Sequence, residues 1–387
     1  MLRNNKLNIC DLFISIWGIY YLQDVIYPQG LINQLLQLIM IGLGILSLFQ
    51  CLRPSIPNLI KATLLLLFMY MVYGSVILMF GDGISWTSDS SYLKTSMNSL
   101  LPIVFFYQQT HKQKLSEKRI KIYFFFLLTI TIVHFMHMEK VALLALDQED
   151  NTNNVGYMVL ALFPYVFLFS RRPILQNVIL SLLMLYVLWG MKRGAIFIGV
   201  ILSILALYSI IKEQTLAKKI LFICISLALV FAFVFYVQQM LVSSEYFALR
   251  IQNTMDGDTS GRSEIYSSIW SAVKHESNIF YLLFGHGANS SIVFAGNFAH
   301  NDWLETICNN GILGVCLLLY FFYSFIATLK SGRARLENKY YYCFLALFII
   351  SISKTIFSMS IQNFDLCQAM LIGYFTSKIY NHTGHNL

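Results

Sequence analysis

The sequence predicts an all-α polytopic membrane protein with about twelve transmembrane helices and a long extracytoplasmic loop between helices 9 and 10. Its 387 residues are 57% hydrophobic and 12% charged, with a mean hydropathy of +0.63. A soluble core of this length could not bury so much apolar surface. The apolar runs are continuous, without the alternation of a membrane β-barrel, and a backbone in lipid satisfies its own hydrogen bonds as a helix.

Each predicted span is an apolar run of about twenty residues, enough to cross a bilayer as a helix. The twelve runs lie near 9–27, 31–52, 58–80, 92–109, 121–138, 154–170, 173–190, 194–211, 220–240, 303–329, 340–358 and 362–379. The first run has no small-residue cleavage site, so we expect it to remain as helix 1 and not to act as a cleaved signal peptide. Few charged residues fall within the spans, namely Asp11, Asp24, Lys354 and Asp365.

The distribution of Lys and Arg predicts the orientation of the chain. If both termini are cytoplasmic, the loops on that face hold 19 of the 27 basic residues and only three carboxylates, Glu117, Glu213 and Glu337. The polar segment 241–302 and the acidic stretch 139–150 then face the outside. This bias accounts for the net charge of +8, so we expect the membrane, and no nucleic acid, as a partner.

A few cations break the pattern because they fall on the outer face: Lys192, Arg193, Arg250, Arg262 and Lys274. Guanidinium groups at a membrane surface suit bidentate recognition of phosphate, which a lipid pyrophosphate would require. The alternative for each cation is an ion pair with a neighbouring acid, such as Asp256, Asp258 or Glu264.

Several chemistries have no visible site in the sequence. It contains no Walker loop and no GxGxxG motif after a strand, so ATP hydrolysis and nicotinamide chemistry are not expected. The seven cysteines are scattered and form no CxxC pair. His134 and His137, with Glu139, have a spacing compatible with a metal, but many interfacial residues share it. We therefore predict no cofactor and no metal, and energy must come from the substrate or from a gradient.

The most specific pattern surrounds His300. His300 and Asn301 are followed after nine residues by Gly311 and after two more by Gly314, which gives H-N-x9-G-x-x-G. This pattern resembles the O-antigen ligase and polymerase family of multi-spanning membrane glycosyltransferases. Similar segments follow the family's order: Asn153-Asn154-Val155-Gly156-Tyr157 with Phe163-Pro164, Lys192-Arg193-Gly194-Ala195, Gly261-Arg262 with Trp270, and Gly285-His286-Gly287. Lys192 departs from the family, which has a small hydroxyl residue there.

The resemblance implies transfer of a glycan from an undecaprenyl pyrophosphate carrier to a sugar hydroxyl, at the outer face of the bacterial cytoplasmic (inner) membrane. His300 is expected to be the base for that hydroxyl, since an imidazole near neutral pKa can take a proton in the transition state. Arg193 and Arg262 are expected to stabilise the departing pyrophosphate. The substrate-binding candidates are Arg250, Asn301, Lys192, His286 and Trp270.

With this resemblance the chain divides into four parts. Residues 1–150 are expected to be largely scaffold helices and 151–240 central helices. Residues 241–302 are expected to form the extracytoplasmic catalytic loop, as short amphipathic helices over the outer mouth, and 303–387 the last helices.

Three functions remain open. We favour a polymerase of O-antigen or capsular polysaccharide, while a ligase that joins polymer to lipid A core also fits the spacing around His300. The acceptor is accordingly a glycan or lipid A core, and other polysaccharide assembly proteins are candidate partners. A transporter of lipid-linked oligosaccharide would also explain twelve helices and outward-facing arginines, but it should keep charges in a central cavity within the spans.

Simpler explanations also exist for single residues. His300 could cap a helix, and Trp270 could belong to an interfacial aromatic belt. Gly311 and Gly314 are expected to let helix 10 approach a neighbour closely, as small residues do in membranes.

Overall fold

A computed structural model describes most of the chain. It covers residues 8–26, 30–51, 56–80, 86–144, 155–190, 192–212, 261–361 and 364–384, with isolated positions between 219 and 252. The predicted ninth span, 220–240, and the first part of the predicted loop, 241–260, lie essentially outside the described residues. In the part that is described every regular element is helical, as the sequence predicts.

The helices follow one another along the chain with short connections. They are α1 (Ile9–Ile26), α2 (Leu31–Cys51), α3 (Asn58–Phe80), α4 (Trp86–His111), α5 (Glu117–Leu144), α6 (Gly156–Leu160), a 3-10 helix (Phe163–Phe169), α7 (Pro173–Trp189), α8 (Arg193–Lys212), α9 (Arg262–Lys274), α10 (Ile279–Phe284), α11 (Ser290–Ala295), α12 (Asp302–Arg335), α13 (Asn338–Phe357) and α14 (Leu366–Gly384). The three short helices α9, α10 and α11 are the described part of the predicted loop.

Six helices of the described chain are long and apolar enough to cross a membrane: α2, α3, α5, α8, α12 and α13. The helix α1, the segment of α6 with the 3-10 helix, and α7 are apolar but shorter. These helices support a membrane protein, because a bilayer is crossed by about twenty apolar residues in helical form. The total of twelve spans stays a prediction.

The predicted continuous span over 154–170 is wrong in one respect, since the chain there is broken. Gly156–Leu160 is α-helical, a turn follows, and Phe163–Phe169 is a 3-10 helix with Pro164 near its start. All seven residues of the 3-10 helix are buried. Irregular backbone is tolerated at membrane depth when protein covers it, and α5, α7, α8 and α13 pack around this segment.

The helix α4 lies inside the bundle and contacts α2, α3 and α14. Small residues permit these contacts. A Cβ added to Gly373 of α14 would lie 2.5 Å from the carbonyl oxygen of Ile103, and one added to Gly44 would lie 2.8 Å from Leu101. Close approach through glycine is a common way to pack helices in membranes, where the hydrophobic effect contributes little.

The two ends of the bundle differ in charge. At one end the Asn8 side chain donates to the carbonyl of Lys114 at 2.6 Å, His111 bonds Asn381 at 2.8 Å, and Lys339 pairs with Glu117 at 3.2 Å. We call this the basic end. The helix α12 starts at the opposite end and returns to the basic end, so residue 300 lies far from it. We call the opposite end the His300 end.

Candidate active site

Asn301 begins α12 as its N-cap. Its side-chain oxygen accepts hydrogen bonds from the backbone N–H groups of Trp303 (3.0 Å) and Leu304 (3.2 Å). Asparagine is among the preferred N-cap residues because its oxygen satisfies donors that lack partners in the first turn. The amide nitrogen of Asn301 donates to the carbonyl of Ile356 at 3.4 Å. The side chain predicted to bind substrate therefore anchors α12 and ties it to the end of α13.

His300 sits just before this cap in an uncommon backbone conformation. Its φ is +51°, in the left-handed region that residues other than glycine seldom occupy. Such a conformation persists where the surrounding structure fixes it. Here the fixing group is Glu305, whose carboxylate accepts the N–H of the preceding residue, Ala299.

Glu305 is itself held in place. Its second oxygen accepts the hydroxyl of Ser291 at 2.6 Å and the amide of Asn309 at 3.2 Å. Asn309 in turn accepts the hydroxyl of Ser290 at 2.8 Å. The first turns of α12 and the start of α11 are thus joined by buried hydrogen bonds, and His300 lies on the loop between the two helices.

Asp302 performs a similar task on the other side of the cap. This buried carboxylate accepts the backbone N–H groups of Ser360 (2.7 Å) and Ile361 (3.0 Å). It fixes the turn that follows α13. The loop of His300 and the turn after α13 are therefore attached to the same end of α12.

Two cations from distant parts of the sequence reach His300. Burial lowers the pKa of His300 below its usual 6.5, and the positive charges of Arg262 and Lys192 lower it further. Arg262 starts α9 and donates to the carbonyl of Phe357 at 3.3 Å. The imidazole is consequently held in its neutral form at neutral pH, which is the form that can accept a proton.

Arg193 starts α8 beside this cluster. A Cβ at the next residue, Gly194, would lie 2.5 Å from the Tyr157 hydroxyl and 2.8 Å from Cβ of Phe357. Only glycine allows such an approach without a shift of its neighbours. The segment that begins α8 therefore packs against the α13 end that also receives Arg262.

A cavity of about 680 Å³ opens beside His300. Its polar wall includes His300, Lys354, Asp365 and Asn98, and its aromatic wall includes Trp17 and Tyr157. Lys354 interacts electrostatically with Asp365. The helices α1, α2 and α4 line much of the cavity, so the part of the chain expected to be scaffold forms a wall next to His300.

Not every predicted residue belongs to this cluster. His286 lies 3.4 Å from Glu276 and its ring stacks on Tyr281 with 4.9 Å between centroids. Trp270 lies on α9 with 58% of its surface exposed. Of the described residues that line the cavity, His286 and Trp270 are not members. Arg250 lies outside the described residues.

The motif glycines have a separate role. Gly311 has φ +63° and kinks α12, and a Cβ there would lie 2.5 Å from the backbone nitrogen of Gly285. Gly285 meets the backbone of Asn309 equally closely. A Cβ at Gly314 would meet the side chains of Asn310 and Thr306 of the same helix. The expected close approach is thus made by Gly311 to the loop after α10, whereas Gly314 accommodates its own helix.

Three residues of this site were missed as site residues, although the sequence carried a signal for two of them. Lys354 and Asp365 are charges within apolar runs, and ionisable groups at membrane depth mark functional sites. Asn98 is a lone polar residue in the middle of α4 and gave no such signal. In the part of the chain that is described, no three His, Cys, Asp or Glu side chains form a group that could hold a metal ion.

The comparisons with known proteins give no relative. No protein-family model matches the chain, and no curated protein sequence matches it. The resemblance drawn from the motif around His300 stays a hypothesis, and the function must be argued from the residues of the site.

Proposed function

We propose that the protein is a polysaccharide polymerase of the O-antigen ligase-like family. It would transfer glycan from an undecaprenyl pyrophosphate carrier to a sugar hydroxyl at the outer face of the bacterial cytoplasmic membrane, with both termini cytoplasmic. The observation that carries this proposal is the meeting of His300, Arg262 and Lys192, from three separate segments, at the mouth of one cavity.

The proposed reaction is a single displacement in which His300 is the base. The hydroxyl oxygen of the acceptor attacks the anomeric carbon and its proton passes to the imidazole. The bond between that carbon and the pyrophosphate oxygen breaks, and the lipid pyrophosphate leaves with the electron pair. A buried imidazole beside two cations is neutral at physiological pH, so it is ready to accept this proton.

Charge on the leaving pyrophosphate grows during the displacement, and cations placed at that point stabilise the transition state more than the ground state. Arg262 and Lys192 lie near His300 and are the first candidates. Arg193 adjoins Lys192 at the start of α8. Arg250 stays a candidate on the strength of the sequence. Because the donor carries an activated bond, the reaction needs no nucleotide.

The cavity is large enough for sugar residues, since small-molecule sites are about 300–1,000 Å³. Aromatic rings such as Trp17 and Tyr157 offer stacking surfaces, and Asn98 offers hydrogen bonds. A mixed aromatic and polar wall is the chemistry that a glycan requires. The wall from α1, α2 and α4 would then select the donor or the acceptor.

A ligase that uses lipid A core as acceptor would employ the same residues, and other polysaccharide assembly proteins could present the acceptor in either case. A transporter of lipid-linked oligosaccharide is favoured by one particular observation. Lys354 and Asp365, two of the few charges within the apolar runs, both line the cavity. This is the location of charge expected for a transporter, so the experiment must separate transfer from transport.

The experiment is glycan length on gels from a strain that lacks the gene and is complemented with wild type or with His300→Ala. His275→Ala is the matched control, because His275 is exposed on the same loop and bonds only locally to Ser271. Loss of the ladder with single repeat units still attached to the cell supports a polymerase. Polymer that stays on its carrier lipid supports a ligase. A full ladder from abundant His300→Ala would sink the catalytic assignment and favour transport.

A further inference from the structure

A second pocket, of about 580 Å³, lies at the basic end, between α5 and the residues that join the 3-10 helix to α7. We call it the basic-end pocket. Four cations line it, Lys118, Lys121, Arg171 and Arg172, against one carboxylate, Glu117. The pocket is at the opposite end of the bundle from His300, so it is separate from the proposed active site.

The single carboxylate does not cancel this charge, because other groups already use it. Glu117 pairs with Lys121 at 2.6 Å and with Lys339 at 3.2 Å, and it accepts the hydroxyl of Tyr340. Two of its partners are themselves cations. The side chains of Lys118, Arg171 and Arg172 are exposed, so the pocket presents an excess of positive charge to a ligand.

The start of α7 adds to this field. Pro173 is the first residue of this 17-residue helix and Arg172 precedes it at the N-cap position. A guanidinium group has no acceptor atom, so it cannot bond the free N–H groups of the first turn. Those groups and the helix dipole favour an anion at the same place as the basic side chains.

Apolar surface continues from the pocket along both helices. Ile122 and Phe125 of α5 line the pocket and are exposed, and Ile174 and Val178 of α7 are exposed beside it, Ile174 by 75%. The site therefore combines a cationic end with two apolar faces that run along spans. A ligand that fits both parts has a phosphate group and hydrocarbon chains.

We propose that the basic-end pocket binds the headgroup of an anionic phospholipid. The phosphate lies between Arg171, Arg172 and Lys118, and the acyl chains follow the exposed faces of α5 and α7. Basic pockets between helices on the cytoplasmic side are suited to anionic headgroups, because the cytoplasmic leaflet is rich in them. This proposal does not depend on the reaction proposed for His300.

The test is lipid binding to the full-length protein in detergent, followed by native mass spectrometry. The probes are dioleoylphosphatidylglycerol, dioleoylphosphatidylcholine and inorganic phosphate. We expect phosphatidylglycerol to bind and R171Q/R172Q to weaken that binding by about 30-fold, since each basic residue near an anionic headgroup contributes about a factor of five. The charge-retaining variant R171K/R172K should keep most of the affinity.

The matched control is R333Q/R335Q, which removes two exposed cations from the same end of the bundle but not from the pocket. Its affinity should stay within about threefold of wild type, because exposed charges beyond about 10 Å are screened. Equal loss in both double variants would overturn the site, since general surface charge would then explain binding. Equal binding of phosphatidylcholine would overturn it too, and so would binding of inorganic phosphate as tight as that of the lipid.

Discussion

Glu305 fixes the backbone in front of His300, and its removal is the sharpest perturbation of the site that leaves every proposed reacting group in place. Glu305→Ala takes an acceptor from three buried donors: the N–H of Ala299, the hydroxyl of Ser291 and the amide of Asn309. A buried donor without a partner costs about 1–3 kcal/mol, so we expect a loss of stability of about 3–5 kcal/mol after partial relaxation.

The effect on transfer follows from the conformation of His300. Its φ of +51° is costly by about 1–2 kcal/mol and is released when Ala299 is no longer held. A shift of about 1 Å in a reacting group lowers a rate by about 100-fold. We therefore expect Glu305→Ala to lower transfer about 100-fold per inserted molecule, whereas Glu305→Gln keeps an acceptor for Ala299 and loses less.

The assay is the rate of release of lipid pyrophosphate from a lipid-linked glycan donor, divided by the amount of folded protein. Glu276→Ala is the matched control, because Glu276 is a carboxylate of the same loop that pairs with His286, away from the cavity. Wild-type transfer by abundant Glu305→Ala would refute the reasoning. Equal losses in both variants would also refute it, because a general disturbance of the loop would then suffice.

Three further predictions concern pH, backbone and charge. The pKa of His300 is lowered by burial and by neighbouring cations, so transfer should be constant from neutral pH to below 6.5 and fall only as acid protonates the imidazole. A pH profile that falls at or above 6.5 contradicts this. Gly311→Ala should cost more stability than Gly296→Ala in thermal unfolding, by about 1–3 kcal/mol. Both have positive φ, but only Gly311 has backbone within 2.6 Å of a new Cβ. Lys354→Met should destabilise by about 3 kcal/mol because it leaves Asp365 without its cation, and Asp365→Asn in the same chain should recover part of the loss. Additive losses would contradict the coupling.

Much of the fold follows from hydropathy, and the part that does not has a physical reason. Runs of twenty apolar residues predict helices because lipid offers the backbone no partners, and α2, α5 and α13 are such helices. The run over 154–170 has the same composition, yet it breaks near Pro164 because surrounding helices cover its backbone. Hydropathy does not distinguish a lipid-facing run from one enclosed by protein.

The site was accessible to sequence reasoning where residue type and place on the chain disagree. Lys192 and Arg262 stood out as cations on the face that should lack them, and both lie near His300. Asn301 looked like a ligand because it adjoins His300, but its oxygen caps α12. A sequence gives adjacency along the chain, while a cap or a pairing such as His286 with Glu276 depends on the path of the backbone.

The walls of the cavity could not be foreseen for the same reason. Trp17 and Asn98 belong to α1 and α4, more than two hundred residues before His300. Their approach depends on how the spans pack, which glycines such as Gly44 and Gly373 allow without announcing the partner.

The central claim is that His300 and Arg262 form one catalytic site for transfer from a lipid pyrophosphate. The most direct measurement uses purified protein in liposomes, with a lipid-pyrophosphate glycan donor and a sugar acceptor supplied outside. Wild type and His275→Ala should release lipid pyrophosphate and lengthen the acceptor, while His300→Ala and Arg262→Ala, equally abundant and folded, should do neither. Product formation by His300→Ala at the wild-type rate, or movement of intact donor across the bilayer without any product, would contradict the account.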